Sequence, residues 1–285
     1  MARPVPLPPD DRTSSPREVL VVRAGVARRR PDRVAGEEPM AIRVAGPGQA
    51  PVDVAVTMRT PGHDAELAIG FLVSEGLLTA SDVTGAVVEP GHPGEVGTPE
   101  NELTVRIGRR FDPAAVPARA FVASASCGIC GKASLDDVAV RCDVLPPGLR
   151  VGAAVIAALP DRLRAGQAVF DQTGGLHASG LFDAAGRLLA VREDVGRHNA
   201  LDKLIGAAAV GGELPLHDRL LAVSGRVSFE IVQKAAVAGI PLVAAVSAPT
   251  DLAVEAAERL GMTLVGFVRG GGFNVYAGEA RIALA

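Results

Sequence analysis

An α/β fold, built on a sheet with parallel strands and crossover helices and preceded by a smaller α+β unit, is what this chain predicts. Three observations predict it. Helical and strand patterns alternate through the last hundred residues, residues 40–107 read as a hairpin, a helix and a further strand, and the composition is that of short helices and β-branched strands. The 48% hydrophobic content is mostly Ala, Val and Leu, with 33 glycines and only 3% aromatics. At 285 residues the chain holds one large domain or two smaller ones.

Residues 1–39 carry many prolines and the run Arg28-Arg29-Arg30, a composition that buries little and reads as a disordered tail. From Ala41 the pattern changes. Ala41-Ile42-Arg43-Val44 and residues 52–58 alternate apolar with other side chains around Gly46-Pro47-Gly48, a hairpin signature. Thr60-Pro61-Gly62 then opens a helix with a capping residue and a first-turn proline; Leu67, Phe71 and Leu72 mark its buried face and Gly76 ends it. Residues 87–98 read as loop and 103–107 as a strand, which completes a small α+β unit over residues 40–120. A cysteine-bearing loop and its following helix occupy 121–150.

Residues 151–285 form the α/β core. It opens with an Ala-rich helix over 151–163, cut near its end by Pro160. Strands at 176–182 and 188–192 flank Asp183-Ala184-Ala185-Gly186, which has turn chemistry. Helices at 199–209, 229–238 and 252–260 then alternate with strands at 219–223, 241–246 and 263–268, the rhythm of parallel strands with crossovers. There is no internal repeat.

Chemistry is first sought at Ser126-Cys127-Gly128-Ile129-Cys130-Gly131-Lys132, which gathers two of the three cysteines into a glycine-flanked Cys-x-x-Cys loop. The attacking form of cysteine is the thiolate, favoured by a nearby cation or a helix N-terminus. Lys132 supplies the cation, and Ser134-Leu135-Asp136-Asp137 resembles a capping box whose helix would face the loop. Other readings stand beside this one. A structural zinc site would need Cys142 and a histidine such as His177 or His198, since no second Cys-x-x-Cys exists. A thiol-disulfide redox pair fits the spacing but lacks the surrounding small βαβ pattern, and inert core cysteines fit poorly with two glycines and a lysine.

Charge excludes several classes. With 29 basic and 32 acidic residues and a net charge of -3, the chain has no global signature for nucleic acid or membrane, so any anion site is local. No export signal and no uncharged apolar run of about 18 residues is visible, so a cytoplasmic protein with reduced thiols is expected.

In an open α/β sheet, ligands bind outside the carboxyl ends of the strands. Three segments fall there: Ser224-Gly225-Arg226-Val227-Ser228, Ser247-Ala248-Pro249-Thr250, and Arg269-Gly270-Gly271-Gly272 after Phe267-Val268. Each offers small residues with backbone donors, two carry arginine, and two lead into helices, a combination suited to phosphate. His177 and His198, beside Asn199, are candidates for ligand contact or proton transfer, whereas His63, His92 and His217 are expected to face water. The phosphate loop of nucleotide triphosphatases and the strand-linked Gly-x-Gly-x-x-Gly fingerprint are both missing.

Taken in order, Ser126 to Gly131, Thr173-Gly174-Gly175-Leu176-His177-Ala178, the run from Arg192 to Lys203, Ser224-Gly225-Arg226, and Phe267-Val268-Arg269 with Asn274-Val275-Tyr276 resemble the formate dehydrogenase accessory sulfurtransferases, the FdhD family. Thr60-Pro61-Gly62 and Gly70-Phe71-Leu72 resemble that family's first helix. The resemblance implies a core like the cytidine-deaminase fold and a sulfur carrier that accepts sulfane sulfur from a cysteine desulfurase as a persulfide. It implies transfer of that sulfur to the molybdenum bis(molybdopterin guanine dinucleotide) cofactor of formate dehydrogenase, with the apo enzyme and the desulfurase as partners and no tightly bound zinc. By the same resemblance Cys127 bears the persulfide, Cys130 is its loop partner, and Phe267 to Gly272 belong to the cofactor site. A zinc deaminase would place a His/Cys-x-Glu segment before its Cys-x-x-Cys, whereas His177-Ala178-Ser179 follows it and has no glutamate. A non-catalytic cofactor chaperone would need the crevice without the cysteines. A homodimer is left open.

Overall fold

The computed structural model describes residues 11–91, 101–116 and 142–284. Cys127, Cys130, Lys132 and the capping box after them lie outside the described residues, as does His92.

The first described strands correct the sequence reading. Residues 14–35, expected to be a disordered tail, form an antiparallel ribbon of β1 (Ser14–Arg23) and β2 (Val26–Ala35), paired from Ser14 with Ala35 to Arg23 with Val26. Ala24 and Gly25, at φ of 48° and 80°, make the two-residue turn that matches strand twist. Composition misled because Pro16 and Pro31 sit in a two-stranded ribbon, where each strand has an open edge and a missing N–H is tolerated.

β3 (Glu38–Ala45) and β4 (Val52–Arg59) form the expected hairpin, and with β5 (Val87–Pro90) and β6 (Glu102–Arg106) they make a sheet in the order β4-β3-β6-β5. β5 was expected to be loop. Helix α1 (Asp64–Ser74) starts three residues later than the Thr60-Pro61-Gly62 signal suggests. His63 precedes it in the left-handed region at φ 59° and its ring pairs with Glu66 at 3.0 Å. A one-turn helix, α2 (Ala80–Val83), is closed by a capping box from Thr79 and Asp82.

The second half is a six-stranded sheet in the order β13-β12-β11-β10-β8-β9. Its strands are β8 (His177–Phe182), β9 (Leu188–Asp194), β10 (Leu220–Val223), β11 (Leu242–Ala245), β12 (Thr263–Arg269) and β13 (Gly272–Ala277). β10, β11 and β12 are mutually parallel, while β8 and β13 flank them antiparallel. The period of two decides the layers. Leu220, Ala222, Leu242 and Ala244 point to a cluster beneath α3 (Ala153–Arg164), whereas Leu221, Val223, Val243 and Ala245 point to the larger core. Pro160 lies inside α3 rather than ending it.

On the larger side lie α5 (Arg197–Val210), α6 (Phe229–Val237) and α7 (Asp251–Arg259); a short α4 (Ala168–Thr173) precedes β8. α1 packs on α5, so Met40, Ile42 and Leu67 of the first unit share one hydrophobic core with Leu201, Ile205 and Ile231 of the second. Glycine permits this approach. A Cβ on Gly70 would lie 1.8 Å from the Asp202 carbonyl oxygen, and one on Gly206 1.8 Å from that of Glu66. The two helices therefore touch backbone to backbone.

Candidate functional site

The parallel strands end at one edge, and β8, running the other way, begins there. Its first residue, His177, thus lies beside the end of β10. Ser224 continues the β10 ladder, its N–H donating to the Ala178 carbonyl at 3.0 Å while its Oγ accepts from the Ala178 N–H at 2.9 Å. A Cβ on Gly225 would come within 3.3 Å of His177 Nδ1, so glycine there lets the imidazole lie against the loop. Burial, reinforced by the neighbouring Arg197 and His198 and opposed by Asp194, lowers the His177 pKa. The ring is therefore neutral at neutral pH.

A cleft of about 610 Å³ opens at this edge. His177, Ser224, Val268, Arg269 and Gly270, all candidates from the sequence, line it. Arg269 owes its placement to a bulge. The β12–β13 register shifts between Gly266 and Arg269, and Phe267 takes a φ of 53°, a strained conformation for an aromatic residue. The Arg269 guanidinium then lies over the Phe267 ring at 5.6 Å from its centroid and forms no ion pair among the described residues. Gly270 and Gly271, at φ 58° and 80°, turn the chain into β13, and a Cβ on either, or on Gly272, would meet nothing within 4 Å. The glycine run is a hairpin turn with an open face, not a helix-bound phosphate loop.

Other expected residues stand apart from the cleft. The Ser224-to-Ser228 and Ser247-to-Thr250 loops are stitched together, Val227 N–H to Ala248 carbonyl at 3.2 Å and Thr250 N–H to Val227 carbonyl at 2.9 Å, which takes those two amides out of phosphate binding. Arg226 is exposed and does not line the cleft. Neither does His198, whose Nε2 meets Ser228 Oγ at 3.1 Å and Glu230 Oε2 at 2.9 Å.

Asn199 is corrected more sharply. Its amide is buried, donating to the Met58 carbonyl at 2.7 Å and to Asp194 at 3.2 Å while accepting from Thr57 at 3.2 Å. It ties β4 to α5 and has nothing left for a ligand.

The wall facing the strand ends comes from α3 and α4, which the sequence reading left out. Gln167, Arg164, Phe170 and Asp161 line it. Gln167 is 3% exposed, and its amide nitrogen is buried with no hydrogen-bond partner among the described residues. Arg164 stacks on Phe170 at 4.7 Å and pairs with Asp171 at 2.6 Å. α4 has no side-chain cap of its own. Glu193 supplies one from β9, accepting from the Val169 and Phe170 amides at 2.9 and 2.8 Å, and burial raises its pKa despite those bonds. No local periodicity marks Gln167, and only its place between two helices at Gly166 hints at a special role.

Fold and cleft together define an α/β protein with an open cleft at the carboxyl edge of its parallel strands, lined by Arg269, His177 and Gln167. Comparison with known proteins specifies the family. The FdhD/NarQ family model matches residues 35–283, and the chain belongs to that family. A protein of Streptomyces avermitilis named "Sulfur carrier protein FdhD" is 50% identical over 279 residues, spanning 96% of this chain and 97% of its own length. The protein of that name from Nocardia farcinica is 49% identical over 273 residues, 95% of each chain. A crystal structure from Desulfotalea psychrophila, assigned as a formate dehydrogenase accessory protein, superposes with a TM-score of 0.71 at 24% identity, covering 95% of this chain and 100% of that one. It shares the fold.

Proposed function

We propose that this chain is a sulfur carrier for formate dehydrogenase: it accepts sulfane sulfur from a cysteine desulfurase as a persulfide on Cys127, with Cys130 as loop partner, and passes it to the molybdenum bis(molybdopterin guanine dinucleotide) cofactor. The observation that carries this reading is near-complete alignment, at about half identity, with proteins named for sulfur carriage. The cofactor is the sulfur acceptor, bound as substrate. The cleft suits its nucleotide ends. Arg269 supplies a charge-assisted donor for phosphate, and Gly270 to Gly272 leave backbone approachable. Neutral His177 can donate or accept a hydrogen bond there without adding charge. The likeness of the six-stranded core to cytidine deaminases belongs to this proposal, as does a cytoplasmic location; no helix among the described residues is long and apolar enough to cross a membrane.

Incubation with a cysteine desulfurase and cysteine, read by intact mass and tryptic mapping, tests the sulfur step. One added sulfur on Cys127, absent in Cys127→Ala, supports it. Sulfur found only on Cys142 would contradict it.

A further inference from the structure

At the opposite edge of the six-stranded sheet, where β12 begins, a smaller pocket of about 380 Å³ lies between Leu145, Pro147, Leu149, Arg150, Gly261 and Arg281. Arg281 is 9% exposed. Its Nη1 donates to the Gly261 carbonyl at 2.6 Å and its Nη2 to the Pro146 carbonyl at 2.9 Å, while Nε is buried with no partner. No carboxylate pairs with it among the described residues. A buried guanidinium held by carbonyl dipoles alone keeps an uncompensated charge, which burial disfavours, and its pKa is lowered for that reason.

The strand register adds a second cation. β7 (Val151–Gly152) pairs in parallel with β14 (Ile282–Ala283), Val151 opposite Ile282, so Arg150 and Arg281, the last residue of a 3-10 turn, each directly precede the ladder, and both line the pocket. Like charges gathered in one pocket repel. Arg281 is held by backbone carbonyls alone, and Arg150 forms no ion pair among the described residues. Two guanidinium groups in one pocket ask for an oxyanion, and the leucine and proline walls ask for an apolar body behind it.

We propose that this pocket binds an organic carboxylate, its oxygens bridging Arg150 and Arg281 and its carbon chain lying against Leu145 and Leu149. A free organic acid and the C-terminal carboxylate of a peptide present the same chemistry. Inorganic phosphate has the charge but lacks the apolar body.

Thermal unfolding of the full chain tests the proposal with four probes: butyrate, N-acetyl-alanyl-leucine, the amide of that peptide, and phosphate, each matched in ionic strength with chloride. With a millimolar dissociation constant, about 50 mM ligand raises the melting temperature by roughly 5 °C. The expected result is that one or both carboxylates give this shift and bind at least fivefold more tightly than phosphate. A response to butyrate identifies a free acid as the ligand, and a response to the peptide acid alone identifies a chain terminus. Arg150→Ala, at an exposed position that leaves the fold intact, should weaken binding at least fivefold, and Arg281→Lys should do the same if it folds. Arg269→Ala, at the far edge, should leave the shift unchanged. No carboxylate response, an equal response to the peptide amide, or a response indifferent to Arg150→Ala overturns the proposal.

Discussion

The run from Arg192 to Lys203 and the cleft wall facing it use polar side chains in opposite ways. Asp194 is fully buried, accepting from Lys203 at 2.7 Å, the Thr60 N–H at 3.1 Å and the Gly196 N–H at 2.8 Å; Lys203 also donates to the Thr60 carbonyl at 2.8 Å. Asp194, Asn199 and Lys203 thus all reach partners across the join between the two units. Gln167 and Arg269, by contrast, keep donors in reserve. The densest motif in the sequence is thus a structural knot, and the cleft is lined by residues that are individually unremarkable.

A second knot repeats the lesson. Lys234, buried in α6, donates to Asp202 at 2.9 Å and Glu75 at 3.0 Å, and Ser74 donates to Asp202 at 2.6 Å. Burial alone would lower the Lys234 pKa, but the two carboxylates outweigh it and push it up. α1, α5 and α6 are pinned at one point.

The contrast can be broken at the knot first. Lys203→Met strands a buried Asp194 and should cost about 3–5 kcal/mol in urea unfolding. A loss below about 1 kcal/mol would mean that Asp194 finds another partner. Gly206→Ala should come next, destabilising by about 1–3 kcal/mol as α1 and α5 are forced apart; wild-type stability would show that the helices can separate freely.

Acid sharpens the comparison further. Burial raises the pKa of Glu66, but the hydrogen bonds and charges of Arg192 and His63 outweigh it and hold the carboxyl at about 2, below its ordinary 4.5. The folded state therefore binds this proton less readily than the unfolded chain. The resulting stability, about 1–2 kcal/mol after screening by solvent, is present above pH 4.5 and lost as the pH falls towards 2. Glu66→Gln should flatten that portion of the pH–stability curve. An unchanged curve would remove the pair from the account.

How far the sequence could be read follows from the same physics. Strands β10, β11 and β12 were legible because short apolar runs recur between turn residues, and α5 to α7 because they alternate with them. The β1–β2 ribbon was not, since arginine and proline hid the Ala24-Gly25 turn. His177, Arg269 and Gly270 were legible from their place at strand ends. Asn199 was misjudged because adjacency to His198 says nothing about which way a helical side chain points, and it points into the join. Gln167 and Phe170 reach the cleft only through tertiary packing of α3 and α4.

Cys127→Ala should abolish activation of formate dehydrogenase with no change in the unfolding midpoint, and Cys130→Ala should do equal or lesser harm. Nucleotide binding, by contrast, is proposed for the cleft and should not depend on either cysteine. Calorimetry with guanosine diphosphate, standing in for the outer halves of the cofactor, measures this most directly. The account predicts binding by the wild type and by Cys127→Ala, and binding weakened about tenfold or more in Arg269→Ala. No binding to the wild type, or binding indifferent to Arg269, would contradict it.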